Sequence, residues 1–321
     1  MDRIQLGNEE FEGRNNAYVL EDGERLGLVD TGIATDRTRR QLAEGLAERG
    51  HSFADVDQIA ITHWHMDHAG LAGEIQAESG ATVYVHVADA PLIAGDVDAH
   101  ESMRERQAAL FAQWGIPQSA REELLAFFES GDGIQGDGVE PTPIEDGDAI
   151  EVGGTTLETV HAPGHAAGLC CFELPDGTEA FSGDAVLPVY TPNVGGADVR
   201  VERPLERYLE TLERIASKDY EVLWPGHRDP IEEPTERSRA IIEHHHERTA
   251  RIVDVLEALG PADAWTVSAE LFGDLAGIHI MHGPGEAYAH LDHLEAEGVV
   301  SMADGVYTLE EPGVDIEGIF A

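Results

Sequence analysis

The chain has 321 residues, of which 42% are apolar, so it can bury one large core or one large and one small core. It carries 63 acidic and 20 basic residues, a formal net charge of -43, but its apolar content is that of a folded protein, which argues against a disordered chain. No apolar run reaches the length of a membrane span, and residues 1–8 lack the basic and apolar segments of a secretion signal. The composition therefore predicts a cytoplasmic protein without membrane association.

The charge balance is the most unusual feature of the composition. Repulsion among so many carboxylates destabilises a compact protein in dilute buffer, and salt screens that repulsion. Lys218 is the only lysine in the chain. This composition is typical of a halophilic, haloarchaeal cytoplasm, where an acidic surface is an adaptation to the solvent. The adjacent Cys170 and Cys171 could form only a strained disulfide, so two packed, reduced thiols are expected.

Apolar runs and turn residues predict alternating strands and helices in the first part of the chain. The first 60 residues are expected to form three strands, a helix and a fourth strand. The predicted bounds are 16–20 and 26–29 for two of the strands, 35–50 for the helix and 57–61 for the fourth strand. A helix over 69–79 and a buried strand over 82–87 follow.

Residues 96–135 interrupt this pattern with two helical stretches, so a helical insertion is predicted there. The elements expected after it are strands at 149–152, 155–160, 169–174 and 179–182, a helix at 205–217, a short strand at 222–224 and a long helix at 235–259.

The tail after residue 260 is expected to be a separate small unit. Helices are predicted at 266–275 and 285–297, and a hairpin at 299–302 and 306–309. Together with the long helix before it, this order of three helices and a hairpin is that of a winged helix. The predicted domains are therefore 1–235 and 236–321.

The strongest functional signal is the motif THWHMDH at residues 62–68, directly after a predicted strand. Three imidazoles and one carboxylate within six residues are the ligand types that bind zinc, iron or manganese. In a tight loop His63 and His65 can converge on one ion while Asp67 and His68 face another.

Three further candidates each follow a predicted strand beside glycine or proline, in loops of the kind that present ligands. They are His165 in HAPGH, Asp184 in SGD and His227 in PGH. Together with the first cluster they make seven ligands, a number that suits two metal ions.

The order THxHxDH, PGH, SGD and a final GH resembles the metallo-β-lactamase-fold hydrolases over roughly residues 10–235. The resemblance implies an α/β fold, an αββα sandwich with metals at one edge of the sheets, here with a helical insertion and a winged-helix tail. Residues 1–235 would then be the catalytic domain. True β-lactamases differ at several of these positions, including the bridging aspartate, so antibiotic hydrolysis is not implied.

The same resemblance implies which residues hold the ions. A first metal would be held by His63, His65 and His165. A second would be held by Asp67, His68 and His227, with Asp184 bridging both. Asp30, in the motif VDTG, matches the carboxylate that supports the ligand loop from behind.

The chemistry of such a centre is hydrolytic. Two divalent ions, zinc first with iron or manganese as alternatives, lower the pKa of a shared water, and the bridging hydroxide attacks a carbonyl or phosphorus centre. One metal stabilises the developing oxyanion. Asp67 and Asp184 are the predicted catalytic carboxylates, with Asp67 able to carry a proton to the leaving group.

The substrate stays open, because relatives with an appended winged helix include enzymes that cleave single-stranded RNA and enzymes that hydrolyse acyl thioesters. The preferred hypothesis is a small ester or thioester, as in glyoxalase II. The alternatives are a metal-dependent endoribonuclease, a lactonase and a mononuclear iron persulfide dioxygenase. A full second ligand set argues against the dioxygenase. Residues 260–321 contain twelve acidic residues and no lysine or arginine, so nucleic acid is an unlikely partner.

Other features receive weaker interpretations. Tyr190 and Asn193, shortly after Asp184, are candidate substrate-binding residues. A homodimer through the tail is one hypothesis for the assembly. The histidines at 244–246 are interpreted as a solvated helix face, and His279 and His282 as flanking a Gly-Pro turn.

Overall fold

The computed structural model describes residues 1–8, 13–130, 136–313 and 317–320, and two β-sheets form its centre. The first sheet has the order β1-β2-β3-β4-β5-β6, antiparallel from β1 to β3 and parallel from β3 to β6. Its strands are β1 (Asp2–Leu6), β2 (Asn15–Glu21), β3 (Leu26–Val29), β4 (Gln58–Ala60), β5 (Thr82–His86) and β6 (Pro141–Ile144).

The second sheet has the order β11-β10-β9-β8-β7. Its strands are β7 (Ala149–Val152), β8 (Thr155–His161), β9 (Cys170–Glu173), β10 (Glu179–Gly183) and β11 (Val222–Pro225). Strands β10 and β11 run parallel, whereas the other neighbours are antiparallel. Cys170 and Cys171 are buried free thiols on β9.

Helices cover both sheets and extend the chain beyond them. They are α1 (Asp36–Ala47), α2 (Met66–Ala69), α3 (Ala72–Ser79), α4 (Ala90–Ile93), α5 (Val97–Gln113), α6 (Gln118–Ser130), α7 (Pro204–Ser217), α8 (Pro234–Leu259), α9 (Ala264–Phe272) and α10 (His279–Ala296). A hairpin of β12 (Val300–Ala303) and β13 (Val306–Leu309) follows, and short 3-10 turns lie at Phe53–Asp55 and Glu317–Phe320.

Burial divides these elements into the four layers of an αββα sandwich. Aromatic side chains such as Tyr18, Phe172 and Phe181 fill the space between the sheets. On the outer face of the first sheet, α1 buries Leu42 and Leu46, four residues apart on one side of the helix. Helices α7 and α8 cover the second sheet in the same way. The predicted α/β fold class, an αββα sandwich, is confirmed.

The helical insertion and the tail share one apolar core. Trp114, between α5 and α6, is 1% exposed and packs with Tyr288 of α10 at a ring-centroid distance of 5.3 Å. Ile252 of α8 and Tyr307 of β13 belong to the same core. Two helices occupy the predicted insertion, and its residues 131–135 lie outside the described part of the chain.

Three predictions about local structure are wrong. The helix predicted over 69–79 is two helices, α2 and α3, separated at residues 70–71. The Gly-Pro pair at 283–284 lies inside α10 and not in a turn. A proline inside a helix costs about 3 kcal/mol, which burial of neighbours such as Ile280 and Met281, at roughly 1.5–3 kcal/mol each, offsets. His245 is 0% exposed, because α8 is covered by α7 on one side and by α9 and α10 on others.

No helix among the described residues combines the length and apolarity needed to cross a bilayer.

Candidate metal centre

Loops at one edge of the two sheets bring the seven predicted ligands together. His63 and His65 lie in the loop after β4, and Asp67 and His68 lie in the short helix α2 that follows it. The second sheet supplies the other three from the ends of its strands: His165 follows β8, Asp184 follows β10 and His227 follows β11.

The first group consists of three imidazoles whose nitrogens point at one another. The Nδ1 atom of His65 lies 2.9 Å from Nε2 of His63 and 3.0 Å from Nε2 of His165. His63 and His165 are buried, and His65 is partly buried. Three nitrogens that converge in this way are the arrangement of a metal site with histidine ligands.

The second group combines Asp67, His68 and His227. Asp67 Oδ2 lies 3.4 Å from His227 Nε2 and 3.9 Å from His68 Nε2. Asp184 stands between the two groups: its Oδ2 is 3.4 Å from His227 Nε2, 3.5 Å from His68 Nε2 and 3.9 Å from His165 Nε2. This carboxylate is therefore placed to touch two ions at once.

The outward nitrogen of every histidine in the centre meets an oxygen. The pairs are His63 Nδ1 with Thr62 Oγ1 (3.1 Å), His65 Nε2 with Ala197 O (3.2 Å), His165 Nδ1 with Asn193 O (2.8 Å), His68 Nδ1 with Asp30 Oδ2 (2.8 Å) and His227 Nδ1 with Gly13 O (2.6 Å). Carbonyl and carboxylate oxygens accept, and the Thr62 hydroxyl gives its own hydrogen to Asp30, so all five of these nitrogens carry a proton and donate. In a neutral ring the inward nitrogen then presents a lone pair, as in metal-binding histidines.

Electrostatics separate the two groups. Burial lowers the pKa of His63, His65 and His165, to about 3 for His65, so these rings are neutral and ready to bind an ion. Burial also opposes charge on His227, but the carboxylates of Asp184 and Asp67 outweigh it and raise its pKa to about 10.

The carboxylates respond in the opposite direction. Burial disfavours the charge on Asp67 and Asp184, yet the neighbouring His68 and His227 hold the pKa of both carboxyls well below the usual range. The second group therefore favours positive charge at its centre, which a divalent cation would supply.

The residues fit a pair of metal ions. His68 Nε2 and Asp184 Oδ1 are buried and have no hydrogen-bond partner within the described part of the chain, so both atoms are available for an ion inside the centre. Gly226 lies so close that an added Cβ would be 2.4 Å from His68 Cε1 and 2.5 Å from Asp184 Oδ1. Five imidazoles and two carboxylates are a donor set for zinc, iron or manganese.

Two asparagines that the sequence motifs did not identify hold Asp67. The amide nitrogens of Asn8 and Asn15 lie 3.3 Å and 3.2 Å from Asp67 Oδ2, and Asn8 also donates to Asn15 Oδ1 at 2.7 Å. Both residues are buried. No motif surrounds them, and the only signal is that Asn15 begins β2 and so lies at the sheet edge beside His227.

The other predicted site residues lie around the centre. Asp30 accepts from His68 and from the backbone N–H of Thr62 at 2.8 Å, and so connects the His68 ring to the start of the 62–68 loop. The Asn193 side chain bonds to Glu286, to His282 O and to Ala197 N–H, so its amide is committed within the protein. Tyr190 is 46% exposed and its hydroxyl accepts from Arg228.

Known proteins resemble this chain in both sequence and fold. A family model described as the metallo-β-lactamase superfamily matches residues 11–227. The probable metallo-hydrolase YqjP of Bacillus subtilis is 27% identical over 303 residues, which cover 87% of each chain. The atrochrysone carboxyl ACP thioesterase of Aspergillus fumigatus is 24% identical over 82% of this chain and 68% of that protein.

These and other curated relatives are matched over 58% to 88% of their own length. Among solved structures, a metallo-β-lactamase family protein from Thermus thermophilus has a TM-score of 0.83 at 29% identity. That alignment covers 96% of this chain and 98% of the other.

Proposed function

This chain belongs to the metallo-β-lactamase superfamily and is a metal-dependent hydrolase, and we propose that it cleaves a small ester or thioester with a pair of divalent ions. The observation that carries the proposal is the pair of donor groups that face each other across Asp184. His63, His65 and His165 would hold the first ion. Asp67, His68 and His227 would hold the second.

Asp67 and Asp184 have different roles in the proposed hydrolysis. Bound divalent ions would lower the pKa of a water molecule and so would supply a nucleophile at neutral pH. Asp67, oriented by the amides of Asn8 and Asn15, is assigned to receive the proton of that water and pass it to the leaving group. Asp184 sets the spacing between the two donor groups.

One cavity is lined by none of the seven donor residues. Its volume is about 260 Å3, and it lies between α5, α10 and the segment 195–203. Leu110, Val199 and Val201 supply an apolar wall, and the charged lining residues are Arg106, Glu202, Arg203 and Asp292. Arg203 Nε lies 3.6 Å from Asp292 Oδ2, so these charges largely balance and the lining favours neither an anion nor a cation. Support for an acyl substrate therefore comes from a relative. The thioesterase among the relatives acts on the same bond type.

RNA cleavage is the second candidate, and charge disfavours it. Residues 260–321, which we propose to be a winged helix, contain no lysine or arginine. Proteins that bind nucleic acid neutralise phosphates with these side chains. We therefore assign the tail a structural role.

The proposal also includes the identity of the metal ion and the salt content of the surrounding solvent. Zinc is the first candidate because five of the seven donors are imidazoles, and iron and manganese accept the same set. The net charge of -43 points to a halophilic cytoplasm, where concentrated salt screens the acidic surface.

A turnover assay in molar salt tests the substrate class. The metal-loaded protein is offered an acyl-thioester of the lactoyl-glutathione type and, separately, a labelled single-stranded RNA. We expect thioester cleavage that disappears in Asp184→Ala and persists in Asp254→Asn, an exposed aspartate of α8. Cleavage of RNA without cleavage of the thioester would contradict the proposal.

A further inference from the structure

One short loop holds two of the proposed ligands of the first metal. The loop of residues 193–197 supplies the carbonyl oxygen of Asn193 to His165 Nδ1 (2.8 Å) and that of Ala197 to His65 Nε2 (3.2 Å). These bonds set both the tautomer and the orientation of the two rings. The path of this loop therefore sets where two of the three first-metal nitrogens point.

The loop is fastened to α10 by a buried carboxylate. Glu286 is 4% exposed, and its Oε2 accepts from the backbone N–H of Val194 (3.1 Å) and from Nδ2 of Asn193 (3.0 Å). The same Asn193 amide donates to His282 O at 3.0 Å, and its oxygen accepts from the N–H of Ala197 at 2.8 Å. The loop is thus connected to α10 directly at residues 193 and 194, and Ala197 is connected to it through the Asn193 side chain.

Glycines allow the loop backbone to touch the helix backbone. A Cβ added to Gly285 would lie 2.2 Å from Cα of Gly196, a separation at which the loop or helix has to move. Gly195 has a φ of +86°, and a Cβ there would lie 2.6 Å from Gly285 O. The loop and α10 therefore approach each other as closely as two backbones can.

The carboxylate is itself fixed from α8. The guanidinium of Arg248 contacts Glu286 Oε1, and the ion pair is largely buried. His245 and His290 lie 3.9 Å and 4.0 Å from the same oxygen. Because a cation already occupies this oxygen, we interpret the His245–Glu286–His290 cluster as a rigid support and not as a third metal site.

We propose that the C-terminal helices position the first metal's ligands: Glu286 and the contact of Gly285 with the 193–197 loop act as positioning residues for His65 and His165. The inference rests on the proposed two-metal function. It gives the tail a role that needs no nucleic acid. It also explains why Asn193, close to the centre in sequence, turns its side chain toward α10.

Two matched glycine substitutions on α10 test the proposal. Gly285→Ala pushes the loop backbone, whereas a Cβ at Gly283 meets only the flexible end of Leu275 at 3.0 Å. An alanine at position 283 also crowds the ring of Pro284, so this control reports strain within α10 that does not reach the loop. Titration of the metal-free protein with Co2+, followed by the visible absorption of the bound ion, reports each site separately.

We expect wild type and Gly283→Ala to bind two ions with the same spectrum. In Gly285→Ala the affinity for the first ion should fall about tenfold or more, as when a partner of a ligand is lost, with an altered first-site spectrum and an unchanged second site. A Gly285→Ala variant with two ions of wild-type affinity would overturn this inference alone. A wild type that does not bind two ions would overturn the proposed function as well.

Asn193→Ala serves as the second variant in case Gly285→Ala does not fold. It removes the side-chain link to Glu286 but keeps the carbonyl that His165 uses. The expected result is the same weakening of the first ion. Wild-type metal affinity with a raised KM would instead identify Asn193 as a substrate-binding residue and overturn its positioning role.

Discussion

Asp30 connects one unusual backbone conformation to the metal centre. Its φ is +59°, in the left-handed region that aspartate and asparagine tolerate better than most residues. From this position its carboxylate accepts from His68 Nδ1 and from the N–H of Thr62, the residue before the first ligand. One side chain therefore fixes both a ligand ring and the start of the ligand loop.

The substitution Asp30→Asn tests this role without changing the backbone preference. The amide lacks the charge that orients and polarises His68, so the affinity for the second ion should fall about 10- to 100-fold. Titration of the metal-free variant with metal ions measures this affinity. Asp304→Asn is the matched control, because Asp304 has a φ of +51° in an exposed hairpin turn. Equal affinities in both variants would show that Asp30 does not support the ligand.

The single lysine also has a specific partner. Lys218 Nζ lies 2.8 Å from Glu173 Oε2, which accepts from the Tyr220 hydroxyl at 2.7 Å as well. Burial opposes ionisation of Glu173, but these two donors outweigh it and lower its pKa. A carboxyl with a lowered pKa stabilises the folded state above its unfolded pKa and loses that contribution as pH falls through the folded value.

Glu173→Gln should therefore reduce the free energy of unfolding at pH 7 by about 1 kcal/mol, a value discounted for partial exposure. The difference from wild type should shrink as the pH is lowered below roughly 4.5 and Glu173 itself becomes protonated. Denaturant unfolding across pH provides the measurement, with the exposed Glu221→Gln as control. A difference that grows toward acidic pH would contradict this assignment.

At the scale of elements, the helical insertion depends on the tail. The backbone N–H of Trp265, in α9, donates to the carbonyl of Trp114 at 2.8 Å, and the Trp114 ring lies among the side chains of α8 and α10. Neither pair of helices can bury its apolar face alone. The insertion, predicted from sequence as a part of the first domain, completes its core with residues of the second.

Trp114→Ala removes the largest side chain of this shared core. The expected loss is about 3–5 kcal/mol in the free energy of unfolding, because Trp114 is fully buried and the cavity cannot close completely. Leu125→Ala, 60% exposed on α6, should change it by less than about 0.5 kcal/mol. Similar values for the two variants would show that insertion and tail do not share a core.

Most elements could be predicted from sequence because their periodicity and turn residues are local signals. The start of α10 was predicted too late, because proline usually interrupts a helix. In the structure α10 continues through Pro284, because packing of Ile280 and Met281 outweighs the cost of an internal proline. His245 follows Ile241 by four residues and precedes Thr249 by four, so the buried stripe of α8 was visible in the sequence. The run of three consecutive histidines indicated a polar, solvated face instead, so the burial of His245 was not predicted.

Most of the candidate metal centre could also be predicted from the sequence. All seven predicted ligands follow strands in motifs that the sequence shows, and the structure brings their donor atoms close together. Asn8, Asn15 and Glu286 had no such motif. Asn8 and Asn15 contact Asp67, and Glu286 contacts the 193–197 loop, only through the packing of segments that lie far apart in the chain.

At the scale of the whole molecule, the net negative charge has the largest expected effect on stability. A net charge of -43 leaves far more carboxylates than the 20 basic side chains can pair. Many of the ion pairs present lie at the surface, as between Arg207 and Glu210, and exposed pairs contribute little. The excess carboxylates should therefore repel one another and destabilise the folded state unless salt is present.

The thermal unfolding midpoint of the metal-loaded protein should rise between 50 mM and 2 M KCl. We expect at least about 5 °C, which corresponds to roughly 2 kcal/mol for a domain of this size. Screening of surface repulsion is the cause, so most of the gain should appear before the Debye length reaches about 3 Å at 1 M salt. A midpoint that is independent of salt would contradict the halophilic interpretation.

The pair of metal ions is the central claim, and anomalous diffraction from crystals loaded with Zn2+ tests it most directly. We expect two peaks at the zinc edge, about 3.5–4 Å apart. One should lie among His63, His65 and His165, the other among Asp67, His68 and His227, with Asp184 touching both. A single peak, or peaks elsewhere, would contradict the two-metal centre.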